Sequence, residues 1–225
     1  MGENKNLKID EDVQGRLKAD WNAYWKGFMS FSAIETVRFS LIKWAYERLL
    51  RKLSVRERPQ FCELGAGTGS LSRYLGEKYQ ADITIVDSNS RAIAISQKTF
   101  EKFPYSFSCL QQDIFDLGKY SRQFDLVHSG GLIEHFVSEA REAIIKAHVD
   151  LVKEGGYILI LVPTPNLWYR FLNEGVFKFL HLLDQIPEVP WSLFELKTVL
   201  QKYGFEILAQ TSVVTELGIL ARKIS

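Results

Sequence analysis

From residue 60 onward, short apolar runs alternate with stretches whose apolar residues recur every three or four positions. The runs at 60–64, 82–87, 105–109, 124–129 and 156–162 have strand length and few internal charges, and read as buried strands. The amphipathic stretches at 70–79, 90–101 and 138–152 read as helices. Strands separated by helices are joined by crossovers rather than tight turns, so the pattern predicts a parallel sheet with helices on both faces.

The two ends of the chain differ from this middle. Residues 1–12 are polar, and 13–53 read as helices interrupted near Gly27, with Ile34, Val37, Leu41, Ala45 and Leu49 forming one apolar stripe. The fifth strand stops at Pro163-Thr164-Pro165 and is followed by an apolar, aromatic stretch from Leu167 to Asp184. Ser192-Leu193-Phe194-Glu195 reads as a capping box that opens a helix ending at Gly204. Strands at 205–213 and 216–223 are linked too tightly for a crossover and must be antiparallel neighbours. The expected fold is α/β: a doubly wound, mostly parallel seven-stranded sheet with a C-terminal antiparallel hairpin, which is not the usual dinucleotide-binding layout. Residues 1–58 are expected to form an N-terminal helical cap and 59–225 the ligand-binding domain, with 164–190 as an insertion on the substrate side.

Composition narrows the function classes. The chain has 225 residues, 46% hydrophobic and 24% charged, enough for one α/β domain with a full core. A formal net charge of +1 gives no global field for nucleic acid or an anionic membrane. The basic residues Arg48, Arg51, Lys52, Arg56 and Arg58 read as a helix C-terminus complementing its own dipole. Both cysteines, Cys62 and Cys109, fall in predicted buried strands, which argues against a disulfide and for a reducing cytoplasm. The first residues are polar, unlike a signal peptide, and no window reaches the roughly 18 apolar residues of a transmembrane helix.

In an open parallel sheet, ligands bind beyond the carboxyl ends of the strands, so the candidate chemistry is read there. The first strand ends in Glu63 and then Gly65-Ala66-Gly67-Thr68-Gly69, whose glycines permit turn conformations and contacts that a Cβ would obstruct. The helix starting near Ser70 turns its free amides toward this turn. The second strand ends at Asp87, followed by Ser88; the carboxylate reads either as an acceptor for ribose hydroxyls or as a turn acid. After the third strand, Asp113 reads either as an acceptor for an adenine amine, with Ile114 against the ring, or as a loop acid. The fourth strand runs through Ser129 into Gly130-Gly131, where a second close backbone approach, to a ligand or in a tight turn, is expected.

Together these segments resemble the class I S-adenosylmethionine-dependent methyltransferases. ELGAGTG at 63–69 is similar to the family's first motif, TIVD at 84–87 to the second, QQDIFD at 111–116 to the third, FDLVHSGGLIEHF at 124–136 to the fourth, and LVKEGGYILILVP at 151–163 to the segment around the fifth strand. The resemblance spans about residues 60–223, and its fourth motif looks most like the small-molecule branch, including enzymes of quinone biosynthesis. It implies a Rossmann-like methyltransferase fold, with S-adenosyl-L-methionine as cofactor and S-adenosyl-L-homocysteine as product. By that resemblance Glu63, Gly65, Ala66, Gly67 and Gly69 would surround the methionine part. Asp87 and Ser88 would hold the ribose, Asp113 and Ile114 the adenine, and Ser129 and Gly130 would flank the sulfonium. The Asn/Asp-Pro-Pro-aromatic signature of many enzymes that methylate nucleic-acid amines is absent at the fourth strand. A metal-assisted subgroup carries a further glutamate where this chain has Gly131, so no metal is expected.

A sulfonium methyl is already activated, so the protein must chiefly align acceptor, methyl and sulfur. A base is needed only for a hydroxyl, phenol or protonated amine, and His135 is the candidate, expected in the first turn of the helix after strand four. Its alternative reading is a supporting or capping histidine, and Glu134 beside it reads as a helix N-terminal acid. Trp21, Tyr24, Trp25 and Phe28 before the sheet, and Trp168, Tyr169, Phe171, Phe177 and Phe179 after strand five, read either as acceptor-pocket walls or as core and dimer contacts. A membrane-surface contact by the insertion is a lesser reading, since Arg170, Glu174 and Lys178 interrupt it without a basic face. The expected partner is a small-molecule methyl acceptor, apolar or aromatic, bound to a monomer or homodimer. Three competing readings stay open at this point: a protein or tRNA methyltransferase, a nicotinamide-binding oxidoreductase, since the glycine turn is shared, and a non-catalytic scaffold.

Overall fold

The computed structural model describes residues 15–17, 19–28, 43–163, 187–213 and 216–224. Helices α1 (Trp21–Phe28) and α2 (43–50) precede the alternating part of the chain. There follow β1 (Gln60–Leu64), α3 (Ser70–Tyr79), β2 (Asp82–Asp87), α4 (Ser90–Thr99), β3 (Phe107–Gln111), β4 (Phe124–Gly130), α5 (Ala140–Leu151) and β5 (Val152–Pro163). Helix α6 (Leu193–Lys202) and the strands β6 (Phe205–Val213) and β7 (Glu216–Lys223) close the chain. The sheet order is β3-β2-β1-β4-β5-β7-β6. Strands β1 to β5 run parallel, whereas β7 pairs antiparallel with both β5 and β6. Strand order reverses between β1 and β4, which puts the ligand crevice between the turns that follow them.

Alternation along the central strands divides the core into two layers. Cys62, Leu64, Val127, Ile158 and Ile160 face α5, α6 and the buried Trp191. Phe61, Ile83, Ile85, Leu126 and Leu159 face Tyr46 and Leu49 of α2 and Leu71 and Leu75 of α3. Being apolar on both faces is what makes these strands read as continuous runs.

Several boundaries depart from the sequence reading. Strand β3 sits two residues later than expected, because Tyr105 packs on Phe103 and the chain enters the sheet only past the Ser106 carbonyl, which accepts Ile83 N at 2.9 Å. Phe100 leaves α4 early to stack on Phe107, with centroids 3.9 Å apart. Strand β5 starts at Val152, opposite Phe124, before an irregularity in register that ends at Leu126–Tyr157. Residues 15–17 are not helical: the chain bends at Gly15, and Arg16 forms an antiparallel bridge with Phe136. The capping box at α6 is half formed: Ser192 Oγ accepts Glu195 N at 3.1 Å, but the Glu195 carboxylate holds Arg141 instead of returning to the cap. Of the expected apolar stripe, Ala45 and Leu49 are buried, and Ile34, Val37 and Leu41 lie outside the described residues. No helix among the described residues is long and apolar enough to cross a membrane.

Candidate active site

The turn after β1 is built on three positive φ angles, 63° at Gly65, 55° at Gly67 and 66° at Gly69. L-residues rarely adopt them, and the space that a Cβ would need is also taken. At Gly65 a Cβ would lie 2.7 Å from Leu132 Cδ1, and at Gly67 2.7 Å from the Trp25 indole. Gly69 caps α3 and faces Phe100 and Ser96. The glycines therefore admit protein side chains on their Cβ sides. Ala66 ties the turn to β2, its N–H donating to the Val86 carbonyl at 3.1 Å.

Asp87 closes the same turn from β2. One carboxylate oxygen accepts Gly67 N at 3.0 Å and the other accepts Asn89 N at 2.8 Å. Burial pushes its carboxyl up, against the pull of those two amides. The turn-acid role is thus filled, and each oxygen keeps a lone pair for a further donor. Ser88 is exposed, and the cap of α4 is Asn89, whose Oδ1 accepts Arg91 N and Ala92 N.

Glu63, next to last in β1, is only 5% exposed, and burial drives its carboxyl up to about 8, with hydrogen bonds from Ser72 opposing. Its Oε2 has no hydrogen-bond partner among the described residues, and neither has Nδ1 of His128. His128, one register position across on β4, is fully buried and is bonded through Nε2 to Ser72 Oγ at 3.0 Å. Ser129 turns to the opposite face, where its hydroxyl meets His148 Nε2 at 2.9 Å, so only its backbone faces the crevice side of the strand end. Burial lowers His128 to about 3 and His148 to about 4, keeping both imidazoles neutral. At Gly130 an added Cβ would lie 3.4 Å from Tyr46 Oη. None of these three groups, His128, His148 or Tyr46, was singled out from sequence; a histidine inside the apolar run Phe124–Ser129 was the available signal.

Past β4 the chain makes a short 3-10 turn, Ile133–His135, and α5 begins only at Ala140, so His135 is not in that helix. His135 Nδ1 lies 3.0 Å from the Pro187 carbonyl. A carbonyl only accepts, so the neutral ring carries its proton on Nδ1 and its lone pair on Nε2. Nε2 lies 4.0 Å from Glu134 Oε1, and the Trp21 ring meets the imidazole edge-on at 5.0 Å. The segment after the insertion is bound here as well: Val189 N donates to the Glu134 carbonyl at 2.8 Å and Trp191 Nε1 to the Ile133 carbonyl at 3.0 Å. Donor atoms of Glu134, His135 and Glu188 come within 4.8 Å of one another, a grouping invisible in sequence because Glu188 is distant along the chain.

Asp113 caps a 3-10 turn, its Oδ1 accepting Phe115 N at 2.9 Å, while Oδ2 pairs with Arg16. Ile114 is buried at 9% exposure within the α5-side core. Tyr24 and Trp25 are half-buried, their rings 5.1 Å apart and edge-to-face. Trp168 and Tyr169 lie outside the described residues, as do Phe171, Phe177 and Phe179.

Those expected site residues that the structure describes lie at the carboxyl edge of β1 to β4, around a glycine turn beside which the buried Glu63 Oε2 has no hydrogen-bond partner among the described residues. That oxygen fits the ammonium of an aminoacyl sulfonium ligand. Residues 61–156 match the family described as "Methyltransferase domain". Among solved structures, the chain is similar to a SAM-dependent methyltransferase from Methanosarcina mazei, at 18% identity and TM-score 0.61, over 76% of this chain and 94% of that one. Magnesium protoporphyrin IX methyltransferase from Synechocystis PCC 6803, solved with bound SAH, matches at 19% identity and TM-score 0.59, over 84% and 82%. A chain from the complex of the Haloferax volcanii Trm112 methyltransferase activator with a methyltransferase matches at 15% identity and TM-score 0.68, over 93% and 100%. With motifs, sheet order and family match in agreement, residues 61–156 carry a methyltransferase domain set in a Rossmann-like methyltransferase fold.

Proposed function

We propose that this enzyme methylates a small molecule with an apolar or aromatic face. The supporting observation is the setting of His135: its lone-pair nitrogen lies beside Glu134, with Trp21 edge-on to the ring and the Trp21-Tyr24-Trp25 cluster leading to Gly67. Half-buried aromatic walls beside His135 suit a ligand with a flat apolar face. The Synechocystis neighbour, named for a porphyrin substrate, is of that kind.

In this reading Glu63, Gly65, Ala66, Gly67 and Gly69 hold the methionine part of the cofactor, Asp87 and Ser88 the ribose, and Asp113 and Ile114 the adenine. The backbone at Ser129 and Gly130 borders the sulfonium. Bound S-adenosylmethionine supplies a methyl group already activated for displacement. His135 Nε2 takes the acceptor's proton, Glu134 stabilises the imidazolium, and the Pro187 carbonyl keeps the ring oriented. Tyr24 and Trp25 wall the acceptor. The domain is read as cytoplasmic.

The test uses donor labelled in the methyl group. Label transferred to a phenol or porphyrin panel supports the proposal, and label found only in tRNA or protein overturns it.

A further inference from the structure

Glu63 is surrounded by groups that do not balance a negative charge. Next to it in β1, burial pushes the Cys62 thiol up, so it stays neutral. From α2 comes Tyr46, edge-on to the His128 ring, with a phenol that burial also keeps neutral. Asp87 of β2 adds a charge that works against a second one. Ser72 of α3 and the neutral His128 of β4 complete the surroundings. Strands β1, β2 and β4 contain no lysine or arginine. The cations of α2 and α3 are turned elsewhere, Lys43 to the Tyr74 ring, Arg48 to the Trp44 ring, Arg73 to Glu77 and Lys78 to Glu47. Among the described residues, no cation acts on this carboxyl.

Hydrogen-bond directions say which form of the carboxyl this setting favours. The Ser72 hydroxyl donates to Glu63, so its oxygen accepts from His128 Nε2, 3.0 Å away. The His128 proton is therefore on Nε2, and a lone pair on Nδ1 lies 4.0 Å from Glu63 Oε1. A lone pair beside a carboxyl favours its protonated form. The other oxygen, Oε2, is buried with no hydrogen-bond partner among the described residues. A donor that brings its own positive charge to Oε2 reverses the balance, and an α-ammonium is such a donor. We propose that Glu63 and His128 form a proton-exchange pair: as the ligand's ammonium meets Glu63 Oε2, the carboxyl O–H breaks and its proton leaves to solvent. One proton is then released for each cofactor molecule bound, and His128 is the positioning residue that holds Glu63 neutral beforehand. This rests on Glu63 holding the methionine part of the cofactor, as proposed above.

The experiment titrates S-adenosylhomocysteine into the full chain by calorimetry, in buffers of different ionisation enthalpy, which counts the protons exchanged. Between about pH 6 and about pH 7 the free carboxyl, raised to about 8, is protonated, and the ligand's α-amino group, near its usual value of about 8, is charged. About one proton should be released per ligand, and affinity should rise about ten-fold across that unit. His128 and His148, lowered to about 3 and about 4, add nothing in this window. 5′-Methylthioadenosine, which lacks the aminoacyl group, should bind without proton release. Glu63→Gln should bind S-adenosylhomocysteine more weakly and without release. In His128→Gln the amide can turn an N–H toward Glu63, which favours the carboxylate in the free protein, so release should fall below wild type. Release that survives in Glu63→Gln would place its source elsewhere and overturn the proposal. Wild-type release from His128→Gln would overturn the role of His128. An affinity in wild type that does not change with pH would overturn the exchange and leave the cofactor assignment standing. Absence of any binding by wild type would remove that assignment and the exchange together.

Discussion

Glu63 and His128 face each other across β1 and β4, with Glu63 Oε1 4.0 Å from His128 Nδ1 and both side chains almost wholly buried. Burial works on them in opposite senses, since it disfavours whichever form is charged. The carboxyl is pushed up to about 8 and the imidazole down to about 3, so near neutrality the pair is an acid beside a neutral ring rather than an ion pair.

This gives stability a defined pH profile. Between 4.5 and about 8 the folded state keeps a proton on Glu63 that the unfolded chain has released, so stability falls as pH rises through that window. His128 and His148, lowered to about 3 and about 4 from 6.5, are protonated only in the unfolded chain over that acid range, so stability rises with pH up to 6.5. The two histidines outweigh Glu63 below 6.5, and the stability maximum is expected near there. Above it Glu63 contributes a downward slope of at most about 1.4 kcal/mol per pH unit. Urea midpoints measured at intervals should show this, and Glu63→Gln should flatten the alkaline side. A slope that survives in Glu63→Gln would assign it to another group.

Asp87 gives a second test, because it serves the turn and, in the proposal, the ribose. Asp87→Ala strands two amides, on Gly67 and Asn89, and should cost about 2 kcal/mol of folding stability. Asp87→Asn keeps one acceptor oxygen and should cost about half as much. Both should weaken S-adenosylhomocysteine binding by at least about ten-fold in calorimetry, in line with losing a charged acceptor. Lost stability with unchanged affinity would leave Asp87 a turn residue only.

The parts of the fold that could be read in advance are those where one local rule acted alone. Strands β1, β2, β6 and β7 are apolar runs between clear turn residues, and their bounds match the reading. Strand β3 slipped because Tyr105 looks like a strand residue, yet its ring is held by Phe103 outside the sheet. A turn role for Asp87 before α4 was legible, and its bond to Asn89 N fills it, but its second bond, to Gly67 N, joins two strands' turns and could not be read from either alone. The Arg16–Asp113 pair was not: it joins positions far apart, and Arg16 lies in a stretch whose composition suggested helix. His128 and His148 were hidden for the opposite reason, since they look like interruptions of buried faces until Ser72 is seen on His128 Nε2 and Ser129 on His148 Nε2.

The glycine turn makes a prediction that needs no ligand. Gly67→Ala must hold φ near 55° with a Cβ and displace the Trp25 ring, which a Cβ would approach to 2.7 Å. The left-handed conformation alone costs about 1–2 kcal/mol. Tryptophan emission should shift to the red as Trp25 becomes solvated. Trp25→Ala in the same chain should recover part of the stability, because it removes the clash but not the strain. Full recovery would show that φ at position 67 carries no cost.

His135 is where tether and base can be separated. Asn at this position can still donate to the Pro187 carbonyl, as Nδ1 does, but has nothing in place of the Nε2 lone pair. If His135 is the base, His135→Asn should keep cofactor affinity and the fold while kcat falls by about 10²–10⁴. The acid limb of the kcat/KM profile should disappear with it. The loss should shrink for an acceptor acidic enough to be ionised already, because no proton then has to be removed. Activity within about three-fold of wild type, far short of a general-base effect, would make His135 a brace for the segment at Pro187 and would shift the search for a base to the insertion.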